Sequence, residues 1–281
     1  MTDVKLADRV AALVAMSSGD GRRDTLTRLT CGRVLSLRPL PMELDWDEGA
    51  SESEAVVAAF TEQFAVDVSG IGANQRKQLL TVLGDNVFRT VVMIFVADYV
   101  PRVWAGLDAL GLGKAGYTTE VAWDHESDPV DALLNGFVPA VARMRALDPV
   151  TTEVVRLRGA AQHSCRLCKS RRETHALDAG GSEDLYSQIE QFESADALTD
   201  AQKAALRYVD ALIWTPSQID DNVAAGVTKH FSQDEAVELT FDVMRNACNK
   251  IMVSLGADAP LVEEGIELFS VEADGQTVSA Q

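Results

Sequence analysis

Cys165 and Cys168 are the residues in this 281-residue chain with the most evident capacity for chemistry. They lie in TEVVRLRGAAQHSCRLCKSRRETH, residues 152–175, as a CxxC pair. A dithiol at this spacing supports two-electron redox chemistry. In such a pair one sulfur reacts first as a thiolate, and the other closes the disulfide. Ser164 is expected to cap a new helix that opens at Cys165 and runs to about His175. The first backbone N–H groups of such a helix lack helical partners, and with the macrodipole they favour a thiolate. Lys169, Arg171 and Arg172 add positive charge close by.

The elements that must hold these residues follow from local signals. Asp148-Pro149 reads as a helix start, with Asp as N-cap and Pro at the first helical position. That helix is expected over 149–161, with a tight turn at Gln162 to Ser164. If the two helices are antiparallel, residues equidistant from the turn face each other. Glu153, Leu157, Cys168 and Arg172 then line one seam, because each pair on one helix is four residues apart. Position at the helix start favours Cys165 as the attacking sulfur, and contact with the Glu153–Arg172 seam favours Cys168. His163 is the nearer candidate base, since His175 lies about 10 Å along the helix from Cys168. The same string offers a zinc alternative through His163, Cys165, Cys168 and His175. Cys31 and Cys248 show no spacing that links them to the pair.

Elsewhere the pattern is helical, with no convincing alternating strand. Leu6, Val10 and Leu13 suggest a short amphipathic helix in residues 1–16. Residues 17–54 read as an irregular arm with a short helix near Leu26 to Leu35. Further helices are expected from Ala55, over 75–83, 87–110, 129–146, 185–192, 200–214, 219–230 and 234–255. Pro101 marks a kink or a helix start. Residues 111–128 read as a loop and 263–281 as a loosely held tail. Asp98, Arg102, Asn246 and Asn249 are polar residues in apolar helices, suited to helix packing or subunit contact. The stretches 87–111 and 236–256 resemble each other, which suggests two pseudo-repeated helical halves.

Composition narrows the function. Twenty-five basic against 43 acidic residues give a formal charge of −18. Such a surface disfavours nucleic acid and anionic lipid. No apolar run is expected to reach the roughly 20 residues that cross a bilayer, and residues 1–16 lack a signal-peptide layout. A cytoplasmic protein with no nucleic-acid or membrane partner is therefore expected.

Glu153, followed twelve residues later by Cys165 in a CxxC, resembles the signature of the alkylhydroperoxidase D and carboxymuconolactone decarboxylase superfamily. The downstream segments LTDAQKAALRYVDALIWTPSQI and HFSQDEAVELTFDVMRNACNKIMVSLG are similar to the family's following helices. The likeness is clearest over 129–255. It implies an all-α, alkylhydroperoxidase D-like (AhpD-like) helical fold, organised as an arm (1–54), a degenerate first half (55–128), a CxxC-bearing half (129–262) and a tail (263–281). It further implies a thiol-dependent peroxidase without a cofactor, with Cys165 and Cys168 as the redox pair and Glu153 as the proton-relay carboxylate. The partners implied are a hydroperoxide or other small-molecule substrate and a thiol reductant or reductase, in a homodimer or homotrimer. Two family histidines fall on Arg172 and Leu167 here. Arginine does not shuttle protons near neutral pH, so Arg172 is expected to pair with Glu153 or to hold a thiolate. A carboxymuconolactone decarboxylase-like enzyme or a non-catalytic scaffold is the alternative that needs no CxxC.

Overall fold

The computed structural model describes residues 5–46, 49–113, 120–263 and 265–279. Parts of the expected N-terminal helix, the 17–54 arm, the 111–128 loop and the 263–281 tail lie outside the described residues. The protein is mostly helical. Helix α1 (Leu6–Ala15) is followed by α2 (Gly21–Leu35), α3 (Glu52–Val66), α4 (Ala73–Leu83) and α5 (Val87–Ala109). Then come α6 (Pro129–Asp131), a π turn over Ala132–Phe137 and α7 (Val138–Ala142). The site region holds α8 (Pro149–Gln162), α9 (Arg166–Lys169), strand β1 (Arg171–Glu173), α10 (Thr174–Asp178) and α11 (Glu183–Tyr186). The chain continues through α12 (Asp200–Trp214), α13 (Asp221–His230), α14 (Gln233–Ala247) and α15 (Asn249–Leu255), then strands β2 (Glu267–Val271) and β3 (Thr277–Ser279).

Many helix starts were written locally. Asp148 accepts the Thr151 N–H, and Ser51, Thr199 and Ser232 each close a capping box with the residue three positions on. One apolar core joins Leu13 of α1, Cys31 of α2, Phe60 and Phe64 of α3, the centre of α5, Tyr208 of α12 and Leu239 of α14. Helix α2 is therefore longer than the Leu26–Leu35 helix expected, and it belongs to the core. Helix α8 is covered on two sides, because Val155 faces this core while Val154 and Leu157 face a second cluster with Tyr186, Ile189 and Phe192. That double coverage is why Glu153 and Arg156 are buried as well.

Three expectations are corrected. The helical run Ala73–Ala109 is long and apolar enough to cross a membrane by length and composition, contrary to the sequence reading. Every residue from Thr90 to Val103 is buried, and a helix surrounded by protein is apolar all round for that reason. Pro101 lies inside α5, which runs through it.

The other two corrections concern strands. The all-α expectation misses a small sheet, in which β1 pairs in parallel with β2 and β2 pairs antiparallel with β3. The tail read as loose supplies β2 and β3. Its Phe269 is buried, and Gly275, with φ +87°, turns the hairpin so close to the Pro139 carbonyl that a Cβ would not fit.

Candidate functional site

The turn before the cysteines serves two helices at once. Ser164 adopts φ +54°, its N–H donates to Ala161 O at 3.1 Å, and the Cys165 N–H donates to Ala160 O at 3.0 Å. This is a Schellman closure of α8. The residue it delivers, Cys165, is itself the N-cap of α9, in place of the Ser164 cap expected. The Cys165 Sγ accepts the Cys168 N–H at 3.2 Å. The two sulfurs lie at disulfide distance, with Cα atoms 5.4 Å apart. Cys165 is buried at 1% exposure, whereas Cys168 is half-buried.

The electropositive start of α9 is not left open. Asp258, buried near the end of α15, accepts the Arg166 N–H at 3.0 Å through its carboxylate and the Leu167 N–H at 2.9 Å through its carbonyl. It also holds the Arg166 guanidinium at 2.8 Å, which keeps its carboxyl below the usual range. Helix α9 is a single turn, so its dipole contributes little. The thiolate support expected from a long helix reduces to one N–H aimed at Cys165.

Helix α9 ends at Lys169 because the backbone of Arg171–Glu173 pairs with β2. This overturns the seam. Arg172 does not meet Glu153. Its guanidinium binds both Glu183 oxygens at 2.6 and 2.9 Å and stands over the Tyr186 ring. Glu153 pairs with Arg156 of its own helix, in two hydrogen bonds of 2.6 and 2.7 Å, and accepts the Glu173 N–H at 3.2 Å. Arg156 in turn donates to the carbonyls of Cys168 and Arg171 at 2.8 and 2.7 Å, and its guanidinium covers the Phe269 ring. Glu153 thus reaches the dithiol backbone through Arg156. Sequence reasoning missed Arg156, although its position three residues after Glu153 on one helix was a usable signal. Asp258 and Phe269 carried no comparable signal.

His163 is not a base for the dithiol. It is 4% exposed, its Nδ1–H donates to Asn249 Oδ1 and its Nε2 accepts the Tyr99 hydroxyl, each at 3.0 Å. Burial, with nearby Lys250 and Arg102, holds the imidazole well below its ordinary value. The folded state therefore resists protonation that the unfolded chain accepts below about pH 6.5. Stability should fall as pH drops from 6.5, by at most about 1.4 kcal/mol per pH unit from this group. Urea unfolding between pH 5 and 7 should show a shallower slope for His163→Gln than for the parent; equal slopes would exclude this role.

His175 is exposed and bonds Glu173 Oε1 at 2.7 Å. The four residues of the zinc alternative therefore do not converge, and no cluster of three metal-competent side chains occurs among the described residues. Asn249 helps to orient His163, while Asp98, Arg102 and Lys250 form a buried ion cluster that joins α5 to α15.

Beside the dithiol lies a cavity of about 440 Å³ between α8, α14 and the C-terminal hairpin. Glu153, Arg156 and Phe269 line it, and neither cysteine does. Arg156 is the wall between the two features.

Fold and site define a mostly helical protein with a CxxC pair at the start of a one-turn helix, clasped by a C-terminal hairpin. Two Mycobacterium tuberculosis proteins, uncharacterized protein MT2376 (strain CDC 1551 / Oshkosh) and uncharacterized protein Rv2313c (strain ATCC 25618 / H37Rv), are each 58% identical to the chain over 278 residues. The match covers 98% of this chain and 98% of each relative, and the chain belongs to their family. Uncharacterized protein YnjA of Escherichia coli (strain K12) is 28% identical over 109 residues, 38% of this chain and 60% of its own. No family model matches the chain. No solved structure matches it.

Proposed function

We propose that the chain is a thiol-dependent oxidoreductase of the AhpD-like type, reducing a hydroperoxide with the Cys165–Cys168 pair. The observation that carries this reading is a pair of sulfurs at bonding distance, one sealed in the core and the other reachable from solvent. Accessibility assigns the roles. The Cys168 thiolate attacks the distal peroxide oxygen, the O–O bond breaks, and the departing alkoxide takes a proton from water. Cys165 then loses its proton and attacks the Cys168 sulfenic sulfur. The S–S bond forms and hydroxide leaves as water. The balance is dithiol plus hydroperoxide to disulfide, alcohol and water. To restore the pair, an external thiolate attacks the accessible Cys168 Sγ. The Cys165–Cys168 bond breaks, and the departing Cys165 sulfur receives the Cys168 N–H. A second thiol of the reductant then cleaves the mixed disulfide on Cys168, leaving the dithiol and the oxidised reductant.

Glu153 and Arg172 take different parts from those first expected. Arg156 with Glu153 fixes the Cys168 backbone, and Arg172 fixes the strand that follows. Neither is placed to relay a proton to sulfur, which favours slow peroxide turnover. The two-half organisation belongs to the same reading, supported by the likeness of 87–111 to 236–256 and by α5 packing directly on α14 and α15. A cytoplasmic setting, a thiol reductant as partner and a homodimeric or homotrimeric assembly also belong to it.

Reduced protein given one equivalent of cumene hydroperoxide should lose two of its four thiols and yield one equivalent of alcohol. Cys168→Ser should abolish peroxide loss. Cys165→Ser should stop at a sulfenic acid that dimedone traps on Cys168. Retention of all four thiols in excess peroxide would end the redox reading. A decarboxylase-like or purely structural role would gain if the double cysteine variant kept every activity of the parent.

A further inference from the structure

The cavity beside the dithiol holds charged groups that the redox chemistry does not use. On α14, Asp242 has a side chain only 2% exposed, and neither carboxylate oxygen has a hydrogen-bond partner. Buried carboxylates are almost always hydrogen-bonded, so such a group requires its own explanation. Its nearest cation is Arg245, one turn on, with Nη1 3.4 Å away, outside good hydrogen-bond geometry. Burial raises the Asp242 carboxyl above its ordinary value. Among the described residues Arg245 makes no hydrogen bond with its guanidinium, whose charge partner is Asp242. Both residues line the cavity.

The other charges there are already engaged. Glu153 is matched by Arg156, Glu173 by the Ala176 N–H and His175, and Glu238 by the Ala146 N–H. Arg145 donates to the carbonyls of Ala142 and Met144. Asp242 and Arg245 are thus engaged only with each other, in an ion pair of 3.4 Å that satisfies no hydrogen bond of the carboxylate. Leu147, Phe269 and Val271 give the same cavity an apolar wall. At about 440 Å³ the space lies within the roughly 300–1,000 Å³ of small-molecule sites.

A ligand complementary to this arrangement carries a cationic donor and an anionic acceptor on neighbouring atoms, with an apolar body beyond them. We propose that the cavity binds an α-amino acid with a large apolar side chain. Arg245 turns from Asp242 to hold the ligand carboxylate in a two-bond fork. That movement opens the Asp242 carboxylate to the ligand ammonium. Phe269, Val271 and Leu147 receive the side chain. Charges inside the cavity stay balanced, and every polar group gains a partner. The site is independent of the sulfurs and does not rest on the redox reading.

Calorimetric titration of the full chain with L-phenylalanine, 3-phenylpropionate and 2-phenylethylamine tests this directly. Phenylalanine should bind at least tenfold more tightly than either singly charged analogue. Asp242→Asn should remove the preference over phenylpropionate, and Arg245→Gln the preference over phenylethylamine. Cys165→Ser should bind phenylalanine as the parent does. No binding of phenylalanine up to its solubility limit, or equal affinity for all three probes, overturns the proposal. The three-probe comparison on the parent protein decides the matter even where a variant fails to fold.

Discussion

Asp98→Ala should lower the free energy of unfolding by about 3–5 kcal/mol at pH 7, the range for removing one partner from a buried ion pair. Asp98 is fully buried and holds two cations at once, the Arg102 guanidinium at 2.7 Å and the Lys250 ammonium at 2.5 Å. Arg102 would keep the carbonyls of Ala65, Leu212 and Ile213. Among the described residues Lys250 would keep only ring faces, of Phe64 and Tyr99. Its ammonium can escape by losing a proton, and burial already brings it down to about 8 even with Asp98 beside it.

The sign of the pH effect follows. A lysine depressed in the folded state binds fewer protons there than in the unfolded chain, so stability rises with pH between the two values. For the parent that window runs from about 8 to the ordinary 10.5. Without Asp98 the lower edge moves down. Urea unfolding should therefore show a deficit in Asp98→Ala that shrinks from pH 7 to pH 9. Asp98→Ala/Lys250→Met should recover part of the loss at pH 7. A deficit independent of pH and unrelieved by the second substitution would mean that Lys250 is not the stranded charge.

Arg156→Met should cost a similar amount, about 3–5 kcal/mol, because it leaves the Glu153 carboxylate buried without its cation. Glu153 is 1% exposed, and its remaining partner would be the Glu173 N–H. The loss extends beyond the pair. Arg156 also satisfies the carbonyls of Cys168 and Arg171 and covers Phe269 of the hairpin. The C-terminal strands should therefore exchange amide hydrogens faster, and the half-exposed Cys168 should react faster with a thiol reagent. Glu153→Gln/Arg156→Met should regain stability relative to Arg156→Met, since no charge is then stranded. If hairpin exchange and Cys168 reactivity stay at parent values while stability drops, Arg156 is a core ion pair with no hold on the dithiol.

Some helix boundaries were legible from a local signal, whereas the Ser51 and Asp20 caps placed α3 and α2 earlier than expected. Asp148-Pro149 started α8 as those two residues predict, and α12 occupies the expected 200–214 span. Such signals act over one turn, through hydrogen bonds that neighbouring residues can make alone. The CxxC at a helix start was legible for the same reason. What the signals did not contain was the length of that helix. Arg171, Arg172 and Glu173 have nothing strand-like in their types, and they became β1 only because Glu267–Val271 pairs with them.

The sequence by itself determined the helical character, the position of the dithiol and the charges available around it. Tertiary structure decided which charges meet. Glu153 could reach a cation three positions along its own helix or one across the turn, and the early end of α9 carried Arg172 away to Glu183. His163 could have faced the sulfurs, but Tyr99 and Asn249 were brought to both its nitrogens by helices distant in sequence. Hydrogen bonds between near neighbours follow from residue order. The pairing of buried charges depends on which segments the core brings together, and that is a property of the whole chain.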